Sequence, residues 1–355
     1  MSAPLAGARS AVRGLNPACF AMVMATGIVA IASDLEGMPL VARALAVLNV
    51  VAFVALAALT LARVIFYGRE FLRDLSDHTR GVGFFTTVAA TAVLGAQLVV
   101  IFARYQAALA LWLVSGVLWA GFTYAIFTAL TIKEQKPSLG EGINGGWLIA
   151  VVATQAVADL GVLLLPQLGP YRHLVLFLAL SLWLCGGMLY IWMISLVFYR
   201  YTFFQFSPSD LMPPYWINMG AMAISTVVGA LLVRNASGDA LLEGLVPFVT
   251  GFTVLFWATA TWWIPMLVIL GVWRHVVKRF PLTYDPLYWG AVFPLGMYAV
   301  ATYRLAEVTG QPFLFSIARD FLYVALAAWL AAFAGLAGSL SAWLKPERAP
   351  HGASV

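Results

Sequence analysis

The sequence predicts an all-α integral membrane protein: ten transmembrane helices, paired as five helical hairpins, with the odd-numbered helices ringed around a central pore. Three observations predict it. The 355 residues are 63% hydrophobic and only 10% charged, whereas a soluble domain carries about 25% charge. Apolar runs recur from end to end without a polar block between them. Most of the 20 Lys and Arg residues fall in the tails, in the short loops or near the ends of those runs, which is a pattern of membrane orientation and not of nucleic-acid binding.

A bilayer core of about 30 Å needs about 20 helical residues. Ten runs meet that need: about 17–34, 41–66, 83–103, 107–131, 145–165, 172–199, 214–233, 240–273, 286–306 and 313–344. They make residues 1–355 a single transmembrane domain with short cytoplasmic tails at 1–15 and 345–355. The first run follows Arg9 and Arg13 and lacks a small-residue cleavage site after it, so it reads as a retained helix and not a signal peptide. Between the second and third lies "FYGREFLRDLSDHTRG" (66–81), too charged to span; it is either a short amphipathic helix on the membrane surface or a solvated loop. Odd runs tend to be shorter and richer in Gly, Thr, Ser, Asn and Gln. Even runs are longer and more uniformly apolar, and this short–long alternation is what suggests hairpins, although no strict sequence repeat accompanies it.

Assigning loops to alternate sides puts fourteen of the 20 Lys and Arg residues on the side of both termini and six on the other. That bias predicts cytoplasmic termini, in a bacterial inner (plasma) membrane, and an odd number of spans would break it.

Ionisable residues inside spans are the usual pointers to function in a membrane protein, and here they are scarce. The four histidines lie in loops or tails, no lysine lies mid-span, and no Asp-rich pair could hold magnesium and a diphosphate. No catalytic residue, cofactor or metal is therefore expected, and a membrane-embedded redox or transferase enzyme is disfavoured. Cys19 and Cys185 both fall in apolar runs and read as small buried thiols. Asp159, in "ATQAVADLG", is the clearest intramembrane carboxylate. It reads as solvated near the outer interface, because Gly161 and Pro166 follow; the alternative is a site for a coupling proton.

The odd runs carry small and neutral-polar residues instead: Thr26 and Gly27 in the first, Thr87 and Thr91 in the third, Thr154 and Gln155 in the fifth, and Asn218, Ser225 and Thr226 in the seventh. Helix packing alone accounts for any one of them. Together they read as the lining of a neutral path, which suits an anion because no fixed negative ring repels it. Arg104, Arg234 and Arg304 could form an attracting mouth, or simply snorkel to the interface. In "WGAVFPLGMY" (289–298), Pro294 removes a helical hydrogen bond and restricts the residue before it, so a kink there would hold Phe293 in one direction with Gly296 leaving room beside it.

Four segments, "NPACFAMVMATGIVAIAS" (16–33), "ATQAVADLG" (153–161), "PPYWINMGAMAIST" (213–226) and "YWGAVFPLGMYAVATYRLA" (288–306), resemble the tellurite-resistance/dicarboxylate transporter family. That family includes the TehA proteins, yeast malate permeases, fungal sulfite efflux pumps and plant slow-type anion channels. The resemblance implies five hairpins around a pore in each subunit of a homotrimer, with Phe293 plugging the pore as a gate beside Pro294 and Gly296. It implies an anion channel or channel-like permease for chloride, nitrate, sulfite or C4-dicarboxylates. The alternative is a proton-coupled C4-dicarboxylate (malate) carrier, with Asp159 as the first candidate for its coupling site.

Overall fold

The computed structural model describes residues 9–344. Among these there are ten long helices and no strand: α1 (Ala21–Leu35), α2 (Pro39–Phe66), α3 (Phe85–Phe102), α4 (Tyr105–Ile132), α5 (Ile149–Leu163), α6 (Arg172–Phe203), α7 (Ile217–Arg234), α8 (Ala240–Val272), α9 (Trp289–Thr309) and α10 (Phe313–Leu344). The tail expected at 345–355 lies outside the described residues, whereas residues 9–13 at the other end form a helical turn. Short turns join α1 to α2, α3 to α4, α5 to α6, α7 to α8 and α9 to α10, so each pair is an antiparallel hairpin. Gly37, Ala103, Gly169, Gly238 and Gly310 supply left-handed backbone, one in each of these turns. The longer connections all lie at the opposite end, which is where most of the described Lys and Arg residues gather; we call it the basic end.

Five helices are inside and five outside. In α1, α3, α5 and α7, 72–89% of the most apolar window is buried, against 11–44% in α2, α4, α6, α8 and α10. The inner helices close a ring in the order α1–α3–α5–α7–α9–α1. Among the described residues, nine helices are long and apolar enough to cross a bilayer, and α9 is the inner one that falls short on apolarity. Its 21 residues include Gly290, Pro294, Gly296, Thr302, Arg304 and Glu307, and 15 of them are buried. A helix solvated by other helices can carry residues that lipid would penalise.

Every inner helix begins, at the basic end, with a 3₁₀ turn: Pro17–Phe20, Gly81–Phe84, Gly145–Leu148, Pro213–Trp216 and Pro286–Tyr288. Local sequence explains them. Asn16, Asn144 and Asp285 accept backbone N–H bonds from the residues two positions on, and proline follows at 17 and 286. These turns touch one another in the same cyclic order as the helices. Gly145 makes one such contact possible, since a Cβ there would lie 2.6 Å from the Tyr215 Cα.

The basic end is tied by cations at the ends of outer helices, where the negative pole of the helix favours them. Arg63 donates to the Arg13 carbonyl (3.2 Å) and pairs with Asp74 (2.6 Å), Lys133 donates to the Ser76 carbonyl (2.9 Å), Arg200 to the Tyr215 hydroxyl and Arg274 to the Leu211 carbonyl. The charged link between α2 and α3 resolves into a helix, Gly68–Leu75. Phe71 seats it on Phe84 with ring centroids 4.8 Å apart, and its Asp74 also pairs with Arg80 (2.8 Å).

Candidate functional site: an apolar constriction on the ring axis

Because five helices form a closed ring, a cavity touched by all five marks the axis. One such cavity lies just inside the ring of 3₁₀ turns. The first hairpin contributes Ala18, Ala21 and Met24; α3 contributes Thr86, α5 Ile149, and the start of α7 Pro214 and Ile217. Leu287, Gly290 and Phe293 come from the start of α9. Its volume is about 20 Å³, room for about one water molecule. Thr86 carries the one side-chain hydroxyl in this lining, and that hydroxyl already donates to the carbonyls of Pro17 (3.0 Å) and Gly83 (2.7 Å). A hydrated ion entering this space must shed its water without gaining side-chain donors, which costs several kcal/mol or more. In this conformation the axis is shut.

Phe293 is 1% exposed. Helix α9 runs unbroken through Pro294 from Trp289 to Thr309. The missing N–H of Pro294 leaves the carbonyl of Gly290, a residue of the same cavity, without its usual helical donor. Gly296 does not leave a hollow beside Phe293: Ile28 and Val29 of α1 fill the space, each with a methyl 3.0 Å from where a Cβ would stand. On the other flank Pro294 packs on Gly220 of α7, where a Cβ would lie 2.8 Å from the proline ring. Glycines thus let α1 and α7 grip α9 on both sides of Phe293.

Eight of the nine neutral-polar candidates are buried and Thr87 is half-buried, but none of the nine lines the axial cavity. Thr26 accepts the indole N–H of Trp329 from α10 (3.0 Å), and Thr154 accepts that of Trp119 from α4 (2.8 Å). Gln155 donates to the Trp183 carbonyl of α6 (3.0 Å), and the carbonyl of Ser225 accepts the Trp183 indole N–H (2.8 Å). Asn218 donates to the Tyr201 hydroxyl of α6 (3.2 Å). Gly27 faces Asn49 of α2 and Val93 of α3, and Thr87 sits in a small gap beside Thr60 and Arg63 of α2. Thr91, Ser225 and Thr226 spend their hydroxyls on carbonyls of their own helices. The expected polar lining is thus not seen at this constriction: most of these groups meet residues of outer helices, because in a dry bundle a hydroxyl or amide is stable where a partner meets it.

The bonds repeat around the ring. Trp329 of α10 reaches Thr26 of α1; Asn49 of α2 reaches Gln97 of α3 (2.9 Å). Trp119 of α4 reaches Thr154 of α5, Trp183 of α6 the Ser225 carbonyl of α7, and Trp257 of α8 Thr302 of α9 (2.9 Å). Each outer helix is pinned to the inner helix of the next hairpin, so the five hairpins interlock.

At the far end of the axis two expectations change. Asp159 is partly exposed, yet its Oδ1 is buried without a hydrogen-bond partner, so it is not the simply solvated carboxylate expected from Gly161 and Pro166. The charge whose field reaches it belongs to Arg304. Asp159 and Arg304 sit on α5 and α9, which are not neighbours in the ring. Arg304 is not a free mouth charge: it pairs with Glu307 (2.7 Å), which also lies 3.5 Å from Arg234. Among the described residues no three His, Cys, Asp or Glu side chains gather as a metal site would require.

A ring of inner helices, a girdle of lipid-facing helices and a path shut by apolar side chains define a membrane transport protein. The family described as voltage-dependent anion channel (SLAC1) matches residues 14–337, and the chain belongs to it. The family resemblance read from the four sequence segments is thereby confirmed. An uncharacterized membrane protein of Mycobacterium tuberculosis (strain H37Rv) is 42% identical over 166 residues, 46% of this chain and 83% of that protein. An uncharacterized transporter of Methanocaldococcus jannaschii is 28% identical over 318 residues, 86% of each chain. A sulfite efflux pump of Trichophyton rubrum is 22% identical over 348 residues, 91% of this chain and 90% of the pump.

Proposed function

We propose that the protein is an anion channel or channel-like permease whose path runs along the ring axis and is gated by Phe293, with Pro294 and Gly296 fixing the helix that carries it. The observation that carries this reading is the small apolar cavity that all five inner helices and Phe293 share. Five helix N-termini surround its entrance, and their partial positive charge favours an approaching anion over a cation. The substrates are small anions: chloride, nitrate, sulfite or a C4-dicarboxylate. The similarity to a sulfite efflux pump keeps sulfite in that set. A homotrimer with one path per subunit and cytoplasmic termini in a bacterial inner membrane complete the proposal; the excess of Lys and Arg at the basic end supports that orientation.

A second reading, proton-coupled C4-dicarboxylate transport, is favoured by Asp159. A carboxylate oxygen buried without a donor, on an inner helix, is where a coupled carrier would keep an exchangeable proton.

One experiment tests both. Proteoliposomes holding the wild type, Phe293→Ala or Asp159→Asn are compared for chloride, nitrate, sulfite and malate flux, with and without a proton gradient. The gate predicts roughly tenfold or greater flux in Phe293→Ala, a barrier lower by about 1.4 kcal/mol. Wild-type flux or less in monodisperse protein would sink the gate assignment. Gradient-driven malate uptake that survives in Asp159→Asn would remove Asp159 from the coupled reading.

A further inference from the structure

We propose that the basic end of α8, α9 and α10 binds an anionic phospholipid, with an acyl chain in a groove behind α9 and the phosphate among Arg274, Lys278 and Arg279. The inference does not depend on the conduction reading.

The groove is a cavity of about 390 Å³ between α9 and α10, within the size range of about 300–1,000 Å³ typical of small-molecule sites. Its α10 wall is Ala328, Ala331, Ala332 and Gly335, small residues that recur on one helical face. Ala291 and Val292 form the α9 wall, and the Tyr284 ring lies over Gly335 at the basic end. From Gly335 to Ala328 the groove runs about 10 Å into the membrane. A second cavity of about 240 Å³ adjoins it, sharing Leu282, Tyr288 and Ala291, and this one is bounded by Arg274 and His275.

Charge selects the occupant. Helix α8 ends in a π-helical turn, Trp273–Val277, after which Arg279 takes left-handed backbone at φ 52°. Arg274 and His275 bound the second cavity, and Lys278 and Arg279 follow within five residues of Arg274. Lys278 and Arg279 are exposed and enter no ion pair among the described residues. The Nε of Arg274 is buried without an acceptor, although one terminal nitrogen holds the Leu211 carbonyl and the guanidinium lies over the Phe280 ring. The nearby carboxylate, Asp285, is engaged in capping Leu287. A neutral lipid would fill the groove and leave Lys278, Arg279 and the Nε of Arg274 unanswered; an anionic headgroup answers both features at once. Ala291 and Val292 are the two residues before Phe293, so an acyl chain there braces the segment that carries it.

The test uses purified full-length protein in nanodiscs of phosphatidylcholine doped with phosphatidylglycerol. Native mass spectrometry reads the ratio of the two lipids retained as bulk lipid is stripped. Wild type is expected to enrich phosphatidylglycerol over the bulk ratio. Lys278→Gln/Arg279→Gln should lower that enrichment roughly fivefold for each charge removed. Ala331→Phe, which fills the groove, should abolish it with the cations intact. Arg69→Gln/Arg73→Gln, exposed on the separate helix Gly68–Leu75, should leave it unchanged. Undiminished enrichment in Lys278→Gln/Arg279→Gln, or an equal drop in Arg69→Gln/Arg73→Gln, overturns the site, as does wild-type enrichment in Ala331→Phe. If Ala331→Phe does not fold, the two charge variants decide it.

Discussion

A tryptophan N–H inside a dry helical bundle has no water to turn to, and four of the five repeating bonds answer that need. Thr154 illustrates the arrangement. Its hydroxyl accepts from Trp119 (2.8 Å) and donates to the Ala150 carbonyl (2.8 Å), so both ends are used. Thr154→Val keeps the shape and strands the indole. The expected cost is about 1 kcal/mol of stability, in the range of interhelical bonds in membranes, read as a lower unfolding midpoint in detergent. Anion selectivity should not change, because Thr154 is not in the axial lining; altered selectivity with unaltered stability would return it to the pore. The sequence does show that odd helices hold more neutral-polar groups. Which way each group points depends on a partner far away in the chain, 303 residues away for Thr26 and Trp329.

At the scale of the element, α9 is the informative helix. Its start is legible in Asp285-Pro286, a capping acid followed by proline; the kink expected at Pro294 is not an interruption, since the helix continues through it and loses one hydrogen bond. The role of Gly220 was not legible, because a glycine in an apolar run has no local signature of its partner. A methyl at that position must displace a rigid proline ring, and overpacking of this kind costs about 1–3 kcal/mol. Gly220→Ala should therefore lower thermal stability and raise basal anion flux, by moving α9 while leaving Phe293 in place. A less stable protein with wild-type flux would separate the α7–α9 contact from the gate. The same element scale resolves the charged link at 66–81: Phe71 and Asp74, one apolar and one paired, face the bundle and make it a helix.

For the whole molecule, five 3₁₀-led inner helices, five interlocking bonds and five outer helices form one cyclic pattern without a strict sequence repeat. The ring closes between α9 and α1, so the first and ninth helices depend on each other. Orientation belongs to this scale, because it follows from the summed loop charges. In a background without Cys19 and Cys185, Ser237→Cys in the α7–α8 turn should react with an impermeant maleimide on intact cells. Lys136→Cys, in the loop after α4, should react only after permeabilisation. Both positions are exposed, and the reverse pattern would invert the topology.

Composition and spacing by themselves determined the membrane class, the number of long helices, their pairing and the division into inner and outer sets. These are summed properties, and sums survive ignorance of direction. Only the tertiary structure decided which residues face the axis. Ala18, Met24, Ile149 and Ile217 look like any lipid-facing residue in a sequence, and Thr26, Thr154 and Gln155 look like a lining. Ring closure reverses both appearances: the polar groups go where distant partners meet them, and the apolar ones are left to shut the path.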